Sequence, residues 1–238
     1  MSDFPEALPH GEIQEVFPDV FFVTGTMKTV LMGAHWHFSR NMTIVRDGTD
    51  LTLLNTVRLD DAGLAHLDSL GVVKNIVKVD ALHGLDDAFY KDRYGAALWA
   101  PAGMPHADGL STDKLLESGG EMPFEGASVF VFEATKLPNC IVRIDREGGI
   151  LVACDALQNW VGHDAFFSDA SRAMMTEMGF FQSANIGPVW AKVNEPQAQD
   201  FVRLQERAFS HVLSGHGVPL RDNAKEAFQA RFAQVFGI

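Results

Sequence analysis

Two short stretches of the chain carry residues able to do chemistry. In "GGILVACDALQNW", residues 149–161, an apolar run from Ile150 to Cys154 ends on a single acid, Asp155. In "LSGHG", His216 stands between Gly215 and Gly217, which let the backbone come close to a bound group while the imidazole points at it. Sites collect at strand ends in α/β folds, because loops there are released from the hydrogen-bond ladder yet held by it. A carboxylate and an imidazole so placed can transfer protons or hold a divalent metal. Each also has a plainer reading: Asp155 as the N-cap of a following helix, and His216 as a solvated loop histidine. In "GAHWHFS", His35 and His37 fall on one face of an extended segment, a fair metal-ligand spacing. The plainer reading there is an exposed hairpin edge flanked by aromatics. His106 and His163 read as surface loop histidines, and His66 and His211 as structural ones.

The elements that must position these residues follow from periodicity. "DVFFVTG", "KTVLMG", "NMTIVRDG" and "DLTLLNTV" are strand-like, rich in Val, Ile, Phe and Thr, with a hairpin turn at "RDGTD". "LDDAGLAHLDSLG" has helical spacing at Leu59, Ala62, Leu67 and Leu70, with acids at its start and Gly71 at its end. "NIVKV", a short helix in "GLDDAFYKDRYG", and "AALWAP" continue the rhythm. The second half repeats the plan with strands "SVFVFEA", "CIVRID" and "GILVAC", a helix near 168–178, and a helix in "NEPQAQDFVRLQERAFSHVL" capped by Asn194. A closing amphipathic helix presents Ala224, Phe228, Ala230, Phe232 and Val235. Two such halves predict two packed sheets with helices outside, in one domain over residues 1–238.

The chain has 238 residues, 47% of them hydrophobic, and a formal net charge of −12, which excludes nucleic acid or an anionic membrane as the main partner. No apolar run nears the roughly 20 residues of a membrane helix, and the polar, acidic N-terminus shows no secretory pattern. Cys140 and Cys154 form no CxxC pair. The turn at Arg146–Gly149 sets them nearly opposite on neighbouring strands, and they read as buried reduced thiols in a cytoplasmic protein. By strand alternation Cys154 points away from Asp155 and is not counted as a ligand. The span "NWVGHDAFFSDASRAMMTEMGFFQ" is core and lid packing, or the wall of an apolar substrate pocket or subunit interface; a homo-oligomer is one expectation.

Several of these stretches together resemble the metallo-β-lactamase fold superfamily over most of the chain. "NMTIVRDGTDLTLLNTVRLDDAGLAHLDSLG" is similar to its opening hairpin and first helix, "REGGILVACDAL" to the strand ending in its metal-bridging aspartate, and "VLSGHGVPLRDNAKEAF" to its last histidine loop and terminal helix. "MTIVRDG" and "VKNIVKVDALHGLDDAFY" resemble more closely a bacterial branch in which an Asn-Ala-Leu-His-His-Leu segment replaces the usual signature. The resemblance implies a four-layer αββα sandwich. It also implies a metal site built at a His-x-His-x-Asp-His signature, for which this chain has "HGLDDA", residues 83–88. In one register His83 keeps a ligand position and Asp87 the acid, while Leu85 and Ala88 stand where ligands would be. A register shifted by two residues puts Asp80 first instead.

The third histidine's segment is "ATKLPNCI" here, with Thr135 or Lys136 in its place, and Asn55 replaces the acid of the Asp-Thr-Gly turn. What remains is His83, Asp87, Asp155 and His216, a depleted set suited to one divalent metal: zinc, with iron or manganese as alternatives, or none. The implied function is metal-dependent hydrolysis of a small ester, lactone or thioester, with Asp87 as ligand or general base. The alternative is a non-catalytic binding protein that kept the fold and lost the metals, with Asp155 hydrogen-bonded to backbone N–H groups, to His216 or to Lys136, the last able to replace the metal's charge. Redox chemistry at a di-iron centre is a third reading.

Overall fold

The computed structural model describes residues 4–31, 33–107 and 109–238. The first sheet has seven strands in sequence order: β1 (Gln14–Phe17), β2 (Val20–Leu31), β3 (Ala34–Asp47), β4 (Asp50–Leu54), β5 (Val72–Val77), β6 (Ala97–Ala100) and β7 (Lys114–Leu115). The second has four: β8 (Ala127–Val131), β9 (Cys140–Ile144), β10 (Ile150–Val152) and β11 (His211–Leu213), in the order β11-β10-β9-β8. Six helices complete the described residues: α1 (Asp61–Leu70), α2 (Asp87–Tyr94), α3 (Asp169–Glu177), α4 (Pro188–Asn194), α5 (Ala198–Gln205) and α6 (Ala224–Phe236).

Alternation along the strands sorts the side chains into layers. Val45, Leu54 and Val77 of the first sheet meet Val142, Ile144 and Val152 of the second in an inter-sheet core. The opposite face of the first sheet, with Ile44, Leu53 and Ile76, is covered by Leu64 and Leu67 of α1 and Phe89 and Tyr90 of α2. The outer face of the second sheet, with Ile141, Leu151 and Val212, is covered by Trp190 of α4, Phe201 of α5 and Phe228 and Phe232 of α6. This is the four-layer αββα arrangement. Burial on both faces explains the near-continuous apolar runs of β4 and β10.

Three expectations change in detail. The first three strand-like stretches are two long strands: β2 and β3 pair from Val20↔Val45 to Leu31↔Ala34, so the hairpin runs past the body of the sheet. Asn194 ends α4 rather than capping α5, whose N-cap is Gln197; its side-chain oxygen accepts from Leu137 N and Asn139 Nδ2 instead. In α6, Ala230 and Val235 are exposed, and Phe236 packs inward.

Candidate metal centre

The parallel pairing of β10 and β11 brings Asp155 and His216 together. Val152 stands opposite Leu213, and each strand runs three residues further to its functional side chain, so both loops leave the sheet side by side. Ala153 N donates to Leu213 O and Gly215 N to Ala153 O, which carries the pairing up to the site. His83 comes from the first sheet, on the loop after β5. An isolated bridge between Asp80 and Asn139 ties that loop to the second sheet. Leu82 N donates to Asp80 Oδ1 and His83 N to Asp80 O, a tight turn that turns the imidazole toward Asp155.

The three side chains meet. His83 Nε2 lies 3.2 Å from Asp155 Oδ2, His216 Nε2 lies 3.2 Å from Asp155 Oδ1, and the two Nε2 atoms are 3.3 Å apart. The site is sunk but open: the His83 and Asp155 side chains keep 14% and 13% exposure, and His216 4%. His216 Nδ1 is 2.9 Å from Ser39 O, a carbonyl that can only accept, so Nδ1 carries a proton and Nε2 is the nitrogen that faces the site. The Trp160 indole stacks on the His216 ring at 4.7 Å and 10°, and Gln158 Nε2 donates to Asp155 Oδ1 at 2.7 Å.

Burial by itself would raise the Asp155 pKa. The charges and hydrogen bonds of His83 and His216 outweigh it and hold the carboxyl well below the usual carboxylate range. Burial would likewise lower that of His83, and the Asp155 carboxylate more than reverses this. Asp80, buried and repelled by Asp155, is pushed up to about 6, and its Oδ2 has no hydrogen-bond partner.

The loops are clamped from behind. Asn41 Nδ2 donates to both Ser214 O and Gly217 O, bracketing His216, and its Oδ1 accepts from Thr24 Oγ1. Asn55, in a left-handed conformation at φ 58°, donates to Ala153 O and joins β4 to the strand that leads to Asp155. Gly217 sits at φ +82° with space for no Cβ, since one would lie 2.2 Å from Asn159 O.

Asp87 does not open on the cavity that His83, Asp155 and His216 line. Its carboxyl is buried: Oδ1 accepts from Thr56 Oγ1, and Oδ2 packs over Gly84 beside the Lys78 stem. Lys136 is also elsewhere. It is exposed and paired with Glu195 Oε1 at 2.6 Å, so it cannot stand in for a metal beside Asp155. One buried cation of this region is Lys78, whose ammonium donates to Pro105 O; burial lowers its pKa against the pull of Asp87 and Asp80.

Cys140 and Cys154 are free and buried. Cys154 is nearer the site than alternation suggests, for its sulfur lies within 4.8 Å of ligand atoms of both His83 and Asp155. It is also held in the inter-sheet core against Gly215, and burial keeps it a thiol. His35 and His37 stand on the projecting hairpin, while the alternate residues Trp36 and Phe38 line the cavity. His106 bonds Thr112 Oγ1, His163 and His66 are exposed, and His211 is a buried structural residue joining Glu147 O and Asp222 N.

No protein-family model and no curated protein matches the sequence. Solved structures do match the fold. The DIM-1 metallo-β-lactamase exposed to ceftazidime superposes with a TM-score of 0.62 at 15% identity, covering 96% of this chain and 99% of that one. The mono-zinc form of the metallo-β-lactamase FIM-1 from Pseudomonas aeruginosa gives 0.60 at 16% identity, covering 97% of each chain. A metallo-β-lactamase from Hirschia baltica gives 0.57 at 16% identity, covering 94% of this chain and 98% of that one. No helix of the described residues is long and apolar enough to cross a membrane.

Proposed function

Because the chain has the metallo-β-lactamase fold, we propose that it is a metal-dependent hydrolase of a small ester, lactone or thioester, holding one divalent ion, zinc by preference, on His83, Asp155 and His216. The spacing of the three donor groups carries this reading. A tetrahedral ion with ligands at about 2.0–2.1 Å needs donor atoms roughly 3.3–3.4 Å apart. The two imidazole Nε2 atoms are 3.3 Å apart, as two such ligands would be, and each has one Asp155 oxygen within 3.2 Å, Oδ2 toward His83 and Oδ1 toward His216. The Ser39 carbonyl behind His216 Nδ1, which leaves Nε2 facing the site, and the buried, unpartnered Asp80 Oδ2 beside the site fit the same reading.

A metal bound there supplies Lewis acidity to a carbonyl and lowers the pKa of water. The chain's own groups do the rest. Ser39 O and the Trp160 face hold the His216 ring, and Gln158 orients Asp155. Asp87, in this reading, is not a base, since it does not reach the cavity; its amide donates to Gly84 O and its carboxyl accepts from Thr56.

One observation favours a second reading, a binding protein that keeps the fold without metal. Asp155 is already partnered by His83, His216 and Gln158, so its charge is compensated by protein groups alone. The two readings separate on one experiment: hydrolysis of phenyl acetate and γ-butyrolactone by protein purified without chelator, before and after dialysis against a chelator and after zinc is restored. Turnover that is lost and regained supports the hydrolase, and His216→Ala is expected to remove it. Absence of turnover in every state overturns it.

A further inference from the structure

The cavity that opens on Asp155 and the two imidazoles has a volume of about 260 Å³, and its chemistry is uneven. One end carries His83, Asp155 and His216. The rest is walled by Trp36, Phe38, Trp160 and Phe180 with Met27 and Met175, and among the described residues no lysine or arginine lines it. The nearest buried cations are engaged elsewhere, Arg40 with Asp86 and Lys78 with Pro105 O. Exposed apolar side chains continue to the rim: Leu82, on the His83 loop, is 41% exposed, and Val193 is 37% exposed. We propose that this cavity takes an uncharged carboxylic ester whose apolar part is about the size of one aromatic ring. The reaction rests on the hydrolase reading, whereas the preference for an uncharged occupant rests on the walls alone.

Volume sets the size. An apolar cavity of about 150 Å³ holds benzene, and drug-sized ligands fill roughly 300–1,000 Å³, so 260 Å³ suits a ring plus an ester group. Charge sets the class. A carboxylate on the apolar part of the occupant, held among the four aromatic rings away from His83 and His216, would have no partner. A cation gains little from Asp155, whose carboxylate is already partnered by His83, His216 and Gln158. One face of Trp160 is covered by His216. That face is closed to the cation–π attraction an ammonium group would need. The hairpin that brings Trp36 and Phe38 is pinned to α3, with His37 N donating to Ser171 Oγ and Ser168 N to His37 O, so the walls are preformed. Hydrolysis of such an ester adds the hydroxyl of water to the acyl carbon, breaks the acyl C–O bond, and leaves the alcohol with the water's other proton.

The test has a binding arm and a turnover arm. Trp36 and Trp160 line the cavity, so intrinsic fluorescence reports occupancy by phenylacetamide, phenylacetate or benzylammonium, none of which is hydrolysed as an ester. Phenylacetamide is expected to bind at least about tenfold more tightly than either ion. Val193→Lys, at the partly exposed rim, is expected to narrow the gap for phenylacetate while the protein stays folded. Equal or tighter binding of either ion, or no response to any probe, overturns the proposal. In turnover, phenyl acetate is expected to exceed 4-acetoxybenzoate in kcat/KM by a similar factor. Preference for 4-acetoxybenzoate overturns the inference and leaves the hydrolase reading standing. Selective binding of phenylacetamide without turnover of any ester upholds the cavity's preference and overturns the hydrolase reading instead.

Discussion

Asn41→Asp is the substitution that most sharply links the framework to the site. The side chains are nearly isosteric, so the acceptor bond from Thr24 Oγ1 survives. What is lost is the amide nitrogen that donates to Ser214 O at 3.0 Å and to Gly217 O at 2.8 Å. Asn41 is 2% exposed, so water does not replace that donor. Each buried acceptor left unsatisfied costs about 1–3 kcal/mol, and a carboxylate facing two carbonyl oxygens adds repulsion, so a loss of about 3–5 kcal/mol is expected. The same two carbonyls bracket His216, so freeing them loosens the ligand. Disturbing groups that orient metal ligands lowers metal affinity by roughly 10–100-fold. Urea unfolding measures the first effect, and competition with a zinc-binding dye under folding conditions measures the second. A stability change below about 0.5 kcal/mol would refute the clamp. A large loss of stability with unchanged zinc affinity would refute its connection to the site.

Gly217→Ala puts a Cβ 2.2 Å from Asn159 O at a φ of +82° and is expected to cost at least about 2 kcal/mol in urea unfolding. Gly215→Ala sets its Cβ 2.5 Å from the Cys154 sulfur; Cys154→Ala should relieve it, giving a favourable coupling of at least about 1 kcal/mol in a double-mutant cycle. Both cysteines are buried with their thiols pushed up by burial, so a disulfide-exchange reagent at pH 8 should react slowly with native protein and with both thiols in denaturant.

Much of this architecture is legible in the sequence because it follows from local patterns. The apolar runs ending on Asp155 and on "SGHG" mark strand ends, and parallel neighbours carry such ends to one edge. His83 needed more, since its loop belongs to the other sheet and one sequence leaves the register of residues 80–88 open. The clamps left no signal: Asn41 is one of several polar residues in "SRNMT", Asn55 a lone amide after an apolar strand, and Ser39 acts through its carbonyl. Lys136 was the wrong cation because its loop points to solvent. The informative residue was Lys78, a lysine interrupting the apolar run "NIVKV", where inward placement demands partners. The aromatic walls were visible as composition in "NWVGHDAFFSDASRAMMTEMGFFQ". Their common cavity with Trp36 and Phe38 depends on the hairpin's reach, and two long strands read as three short ones hide that reach.

Metal content tests the central claim most directly. Protein purified without chelator and loaded with excess zinc, then desalted, should retain about one equivalent by elemental analysis. His216→Ala and Asp155→Ala, checked as folded by circular dichroism, should each retain close to none. Two equivalents in the wild type would contradict a depleted, single-ion site. Equal retention by wild type and both variants would place the metal elsewhere and remove His83, Asp155 and His216 from its coordination.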